Sequence, residues 1–480
     1  MHNFETVIGL EVHIQLNTKT KAFSPEINKF ELIPNKNISS VTLALPGTLP
    51  VANKVQIQKA IKLGLAFECE INKVNFFDRK NYFYPDLPKG YQITQDSQPI
   101  CKGGHINFFS EGTEKIVRIH HIHMEEDAGK SSHDQSEFYS LIDYNRAGTP
   151  LLELVTEPDF RSGQEVFDFL AYLQKVVQYL DVSDGNMEEG SIRCDCNVSV
   201  RPLGSEQYGE RREIKNVNSK KFAKIAIEYE AQSQINELQQ GKKIYKTTML
   251  FDPDSGKTRP MRKKETENDY RYFPEPDLPP IKITDEQINR IKSQITWLPY
   301  SLADELGNKY GVPTHHLEVL TDKIDIGNYF IKLANHGIET KELADLMVLK
   351  LIPYSLESQK SLQSLLPEEK IKEMIDLILM GKVSKAAVYQ YLVPASIQNS
   401  DVGVLDLAQQ LDLLKSEDQD FLDEIIHTIL IDFPDKVKEY RSGKKGLIGF
   451  FVGQVKKEVG NKADPKIVND KLLKLLNDSK

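Results

Sequence analysis

Over residues 6–16 apolar and polar side chains alternate, Val7 apart, and this stretch restricts the fold more than any other. Ile8, Leu10, Val12, Ile14 and Leu16 fall on one side of an extended segment, and Gly9, Glu11, His13 and Gln15 on the other, because successive side chains of a strand point to opposite faces. Such a strand needs neighbours and an apolar layer over one side. The N-terminal part is therefore built on a sheet with one covered face. The opposite face carries a carboxylate and an imidazole two residues apart.

Further strands are expected over residues 115–124, 137–144, 151–156, 192–201 and 210–217, with the turn-rich Arg146-Ala-Gly-Thr-Pro150 ahead of the third. Ser162 and Glu165 then form the spacing of a capping box. Phe167, Leu170, Leu173, Val177 and Leu180 follow at helical spacing, so this helix can cover the apolar side of the sheet. A second helix is expected over 220–239. Strands and helices mixed in this order, without regular βαβ alternation, give an α+β domain on a largely antiparallel sheet. Residues 251–280, dense in Pro and Asp, read as a long loop system that closes it, and beyond about residue 290 helical periodicity takes over. A chain of 480 residues exceeds one core, and its texture changes near residue 290 and again near 400.

Four cysteines, Cys69, Cys101, Cys194 and Cys196, cannot build a disulfide framework in a chain this long. No apolar run approaches the roughly 18 residues of a membrane helix, and the first residues lack a signal or transit pattern. A cytoplasmic protein without a membrane partner is expected. The net charge of −9 joins two unlike parts. Residues 434–480 hold eleven Lys and one Arg against six Asp or Glu, a net of +6, which leaves −15 for the first 433. A basic tail suits a phosphate-rich partner, and an acidic body suits contacts with protein partners and a bound cation.

Gly256-Lys257-Thr258 and Gly129-Lys130-Ser131 end like a Walker A loop, but Phe251 and Met124 stand where its leading glycine is required. Cys194-Asp-Cys196 looks like half a metal site. On a strand, however, both thiols share a face with Ile192, Val198 and Val200 and read as core. Arg193, Asp195, Asn197 and Ser199 project from the other face. None of the cysteines sits in a Gly-x-Cys-x-Gly elbow, so the sequence offers no glutamine-hydrolysing nucleophile.

His123 and Glu125 share a parity on another strand, followed by Glu126, Asp127 and Lys130. Glu153 stands alone in the apolar run from Leu151 to Val155, where an unpaired charge is costly. Hard oxygen donors with at most one imidazole suit Mg2+ better than zinc and leave room for phosphate oxygens. A surface cluster balanced by Arg118, Lys130 and Arg146 accounts for the same residues equally well. Asp78-Arg-Lys-Asn-Tyr-Phe-Tyr-Pro-Asp86 mixes basic and aromatic groups, which fits either a grip on phosphate and base or an aromatic edge strand.

Six segments in order carry a resemblance: Glu5-Thr-Val-Ile-Gly-Leu-Glu-Val-His13, residues 78–85, His123-Met-Glu-Glu-Asp-Ala-Gly-Lys130, residues 145–150, Glu188-Glu-Gly-Ser-Ile-Arg-Cys-Asp195 and Asp269-Tyr-Arg-Tyr-Phe-Pro-Glu-Pro-Asp277. Over essentially its whole length the sequence resembles the B-subunit family of bacterial-type aspartyl/glutamyl-tRNA amidotransferases. The resemblance implies a cradle domain of the glutamine synthetase/guanido kinase type over 1–292, an all-α helical domain over 293–402 and a YqeY-like tRNA-binding tail over 403–480, which includes Gly446-Leu-Ile-Gly-Phe-Phe-Val-Gly-Gln454. It implies a ligase reaction in which ATP, with Mg2+, phosphorylates the side-chain carboxylate of Glu-tRNA(Gln) or Asp-tRNA(Asn). Ammonia then displaces phosphate. The ammonia comes from an amidase-type A-subunit, and the heterotrimer is completed by a small C-subunit.

By the same resemblance His13, Glu125, Glu126 and Glu153 are metal-ligand candidates, Lys80 and Tyr82 contact nucleotide or phosphate, and Glu11, Lys80, Arg193, Asp195, Asn197 and Lys215 line the catalytic face. Asp195 either lines the acceptor site or handles ammonia and its proton. Many relatives carry a cysteine cluster after the first strand, whereas this chain reads Lys21-Ala-Phe-Ser-Pro25, so no zinc is expected. Two other readings stay open: a non-catalytic tRNA-binding scaffold of the same complex, and a stand-alone amidoligase acting on a small acid.

Overall fold

A computed structural model of the chain describes residues 4–132, 138–261, 270–415, 419–459 and 465–478, and the chain divides into two compact units, Met1–Pro299 and Tyr300–Lys480. The first unit holds a sheet whose strands run, edge to edge, Lys257–Pro260, Thr247–Asp252, Arg212–Val217, Ile192–Pro202, Phe4–Gln15, Pro150–Thr156, Thr113–Glu126, Cys101–Lys102 and Glu70–Ile71. His105–Ser110 pairs with the outer half of Thr113–Glu126. Among the described residues every pairing of this sheet is antiparallel except Arg212–Val217 against Thr247–Asp252. A mixed sheet with helices, followed by an all-helical unit, is an α+β and then α layout.

The alternating segment occupies the middle of the sheet. Its apolar side chains Ile8, Leu10, Val12 and Ile14 are at most 1% exposed. Helices Lys54–Ala66, Gly163–Tyr179 and Lys220–Gln239 pack on the sheet and bury Ile61, Val166, Phe169, Leu173 and Ala226 between the layers. Each large side chain so buried stabilises the fold by roughly 2 kcal/mol. Gly163 allows the last two helices to approach, since a Cβ there would stand 2.7 Å from the Lys224 carbonyl oxygen. The capping pattern forms in altered shape. Ser162 Oγ accepts from the Glu165 amide at 3.1 Å, but the Glu165 carboxylate reaches one residue further back, to the Arg161 amide at 2.6 Å.

Two expected elements differ. The strand expected over 137–144 is reduced to Leu141–Asp143, paired with Lys130–Ser132 outside the large sheet, and residue 137 lies outside the described residues. Residues 251–280 are not a loop throughout. Thr247–Asp252 and Lys257–Pro260 close one edge of the sheet, and Phe273–Pro274 joins Asp78–Asn81 and Tyr91–Thr94 in a separate three-stranded sheet. Residue 269, in the segment 269–277, lies outside the described residues.

The second unit is helical. Wider π turns at Met347–Leu351 and Val388–Leu392 each run into a helix whose second residue is proline, Pro353 and Pro394. Proline has no amide hydrogen and its ring crowds the preceding turn, and a π turn absorbs that defect without ending the helix. Toward the C-terminus Ile426, Phe451, Val455 and Leu472 form a fully buried cluster. Among the described residues no helix is long and apolar enough to cross a membrane.

Candidate active site and metal centre

Residues opposed in an antiparallel pair share a face of the sheet, so the registers fix which side chains meet on the side away from the helices. Arg193, His13, Glu153 and His123 form one row across four strands. Asp195, Glu11, Val155 and His121 form the row beside it. Glu153 is thus not stranded in its apolar run. Leu152 and Leu154 take the covered face at 0% exposed, while Glu153 turns to the polar one. Cys194 and Cys196 oppose Val12 and Leu10 and are buried core thiols.

Two imidazoles flank Glu153 symmetrically. His13 Nε2 and His123 Nε2 each lie 3.3 Å from Glu153 Oε2, and each lies 3.6 Å from an oxygen of Glu125. Burial alone would strip the proton from His13, but Glu153 and Glu125 outweigh it and lift the pKa to about 9. His123 is likewise lifted to about 10 against its burial, chiefly by Glu153. Despite its own burial Glu153 is held well below the usual carboxylate range by these two rings. His121 goes the other way. Burial, then His123 and His120, push it down to about 3, so its ring is neutral.

This donor set fits a divalent cation. One oxygen or nitrogen from each of His13, Glu125 and Glu153 comes within 4.8 Å of the others. The two carboxylates make this a Mg2+ or Mn2+ type of set, although His123 brings a second imidazole to them where the sequence leads to at most one. With no cation, protons on the two rings supply the charge that balances the carboxylates.

A second group lies one row over, where Glu11, Asp195 and Glu213 bring carboxylate oxygens within 4.8 Å. Lys215 Nζ bridges Asp195 and Glu213, and although burial acts against it, these two carboxylates raise its pKa. Asn197 Nδ2 donates to Glu11 Oε1 at 2.9 Å. Burial and the Glu153 charge push the Glu11 carboxyl up.

Glu126 lies apart from the His13, Glu125 and Glu153 cluster. Adjacent strand residues face opposite ways, and Glu126 turns to Lys89 and to the Ile93 amide at 3.0 Å, at the edge of a cavity of about 230 Å3. Arg193 Nη2 donates to Asp127 Oδ2 at 2.8 Å, and Gln15 Nε2 donates to the same oxygen at 2.9 Å.

Lys80 sits in the three-stranded sheet at its central strand, 4.8 Å from the Tyr270 ring centroid. Its burial is outweighed by Tyr272, Glu125 and Glu153, which raise its pKa. Tyr82 follows just past the strand. Burial, with Glu125 and Glu126 nearby, pushes its hydroxyl up. The strand Asp78–Asn81 is flanked on both sides, and the aromatics Tyr82, Phe83 and Tyr84 follow it outside the strand.

The structure brings together His13, Glu125 and Glu153, then Glu11, Asp195, Asn197 and Lys215, with Arg193, Lys80 and Tyr82 around them. His123 and Glu213 are site residues that the sequence reasoning did not select. The signal for His123 was present in its parity with Glu125. The signal for Glu213 is its parity with Lys215 on the strand expected over 210–217, and it pairs directly with Asn197.

Residues 6–289 match the GatB/GatE catalytic domain family and residues 328–476 the GatB domain family. Several curated proteins, each named as the B subunit of an aspartyl/glutamyl-tRNA(Asn/Gln) amidotransferase, are similar end to end. That of Thermodesulfovibrio yellowstonii is 41% identical over 475 residues, covering 98% of this chain and 99% of the relative. That of Bdellovibrio bacteriovorus is 42% identical over 475 residues, with the same coverage, and that of Wolbachia pipientis 44% over 467 residues, covering 97% and 98%.

Proposed function

The chain belongs to the GatB/GatE family of amidotransferase B subunits, and from that premise we propose that it is the kinase and transamidase subunit of a tRNA-dependent amidotransferase, a glutamine-hydrolysing ligase complex of the cytoplasm. The proposed partners are an amidase-type A-subunit, a small C-subunit, and tRNA(Gln) or tRNA(Asn) misacylated with Glu or Asp. ATP phosphorylates the side-chain carboxylate of the charged amino acid, and ammonia displaces the phosphate to leave an amide. The proposed domains are a cradle over 1–292 of the glutamine synthetase/guanido kinase type, a helical domain over 293–402 and a YqeY-like tail over 403–480. The net +6 of residues 434–480 supports placing tRNA contact in that tail.

The observation that carries the reading is the row His13–Glu153–His123 with Glu125 beside it. These residues would hold Mg2+, which when bound draws charge from the phosphate oxygens. Lys80, half-buried and cationic, faces the same carboxylates and would neutralise a γ-phosphate arriving over them. Arg193 lies in the same row, anchored by Asp127 through Nη2, and would meet the acceptor carboxylate. Lys215 engages Asp195 Oδ2, which leaves Oδ1 to orient ammonia and take the proton that amide formation releases.

The test uses the complex reconstituted with its A and C subunits. Glu153→Gln should lower ATP-dependent amide formation by about a hundredfold or more, while glutamine hydrolysis and tRNA affinity stay near wild type. Full amide formation by this variant would overturn the assignment.

A further inference from the structure

Of the run His120-His-Ile-His123 only His123 enters the chemistry set out above. Val155 opposes His121 and Thr156 opposes Ile119, so His120 is the extra residue of a bulge, a device that re-aims a side chain. It brings His120 Nδ1 to 2.7 Å from His121 Nδ1. His121 is in turn stacked on His123, with ring centroids 5.1 Å apart and 21° between planes, and its Nε2 lies 3.0 Å from His123 Nδ1. His123 Nε2 faces Glu153 and Glu125. The three rings form a file from the exposed His120 through the half-buried His121 to the buried His123.

We propose that His121, backed by His120, is a positioning residue that holds His123 with its Nε2 lone pair presented to a divalent cation seated against Glu125 and Glu153. The proposal rests on the cation reading of that site. A neutral imidazole has one donor and one acceptor nitrogen, so hydrogen bonds along a file of rings must all run the same way. With His123 Nδ1–H donating to His121 Nε2, the hydrogen of His121 sits on Nδ1 and points at His120 Nδ1. His120 then keeps its own hydrogen on Nε2, toward water. In this order His123 Nε2 carries no hydrogen and can coordinate. The partner on the second nitrogen is what fixes the tautomer and angle of a ligating histidine.

Mn2+ titrated calorimetrically into the full chain tests this without any turnover. His121→Phe keeps a stacked ring but no nitrogen, and should weaken Mn2+ binding about tenfold with the metal-free melting temperature unchanged. His121→Gln, whose amide oxygen can accept from His123 Nδ1–H, should recover most of the affinity. Wild-type Mn2+ affinity in His121→Phe, with binding lost in Glu153→Gln, overturns the positioning role and leaves the cation site standing. Wild-type affinity in Glu153→Gln as well overturns both. If His121→Phe does not fold, His121→Gln decides with His120→Ala: a tenfold loss in the Gln variant, or no loss in the Ala variant, overturns the proposal.

Discussion

The histidine–carboxylate rows of the sheet and the His316–Asp345 group of the helical unit use the same side chains to opposite ends. In the helical unit His316 Nε2 lies 2.6 Å from Asp345 Oδ1, while Lys385 bonds to Asp345 and stands 2.7 Å from Glu342. Two basic groups meet two carboxylates, and the pairing is closed. On the sheet two neighbouring groups bring together Glu11, Glu125, Glu153, Asp195 and Glu213, five carboxyl groups against Lys215 and the protons on His13 and His123. What marks a site is therefore an excess of carboxyl groups held in place by the fold, rather than the presence of histidine beside acid. Closed pairs serve stability, and surplus sets hold something else.

The sharpest way to break this contrast is to neutralise one member of each set. Glu11→Gln keeps an oxygen for Asn197 Nδ2 and removes a charge that burial and Glu153 both disfavour. It should lower amide formation by about a hundredfold, near 2.7 kcal/mol of barrier, yet leave the melting temperature equal or higher. A lower melting temperature with activity intact would mean that the surplus is structural. Asp345→Asn should do the reverse. It leaves His316 and Lys385 facing a neutral amide, costs about 2 kcal/mol of stability and leaves amide formation unchanged.

The second variant also carries a pH signature. Burial would raise the Asp345 carboxyl, but its hydrogen bonds to Lys385 and His316 prevail and hold it below its ordinary 3.8. A carboxylate lowered by folding stabilises fully above its unfolded value, and the contribution fades as pH falls through the folded one. Melting curves of wild type and Asp345→Asn should therefore stay apart at neutral pH and converge on acidification below 3.8. A constant gap across that range would show that Asp345 acts through packing instead of charge.

The same contrast governs how much was legible beforehand. Strand alternation over 6–16 placed Glu11 and His13 on one face, and the 220–239 helix was found with its bounds intact, because both signals are local periodicities. Glu153 stood out as an unpaired charge among apolar neighbours, and the register supplied the partners. Glu126 shows the opposite case. Adjacency in sequence groups it with Glu125, but strand parity sends neighbours to opposite faces, and it lies with Lys89. His120 takes its position from a bulge, an extra residue whose location follows from cross-strand packing and leaves no periodic trace in the sequence.

The smallest effect separates the scaffold from the chemistry on one sheet. Ser162 caps the helix that covers the apolar face, and its Oγ accepts from the Glu165 amide. In Ser162→Ala that amide turns to water, while the Glu165 carboxylate keeps the Arg161 amide and its 2.9 Å contact with Lys115. The loss is that of one cap, about 1 kcal/mol, and the burial of Val166, Phe169 and Leu173 keeps the helix in place. The melting temperature should fall by about 2 °C, and kcat/KM for amide formation, measured well below the transition, should not move. A drop in kcat/KM would show that the covered face and the charged rows, separated by one layer of backbone, are mechanically coupled, because a rigid sheet transmits nothing from a cap on one side to a ligand set on the other.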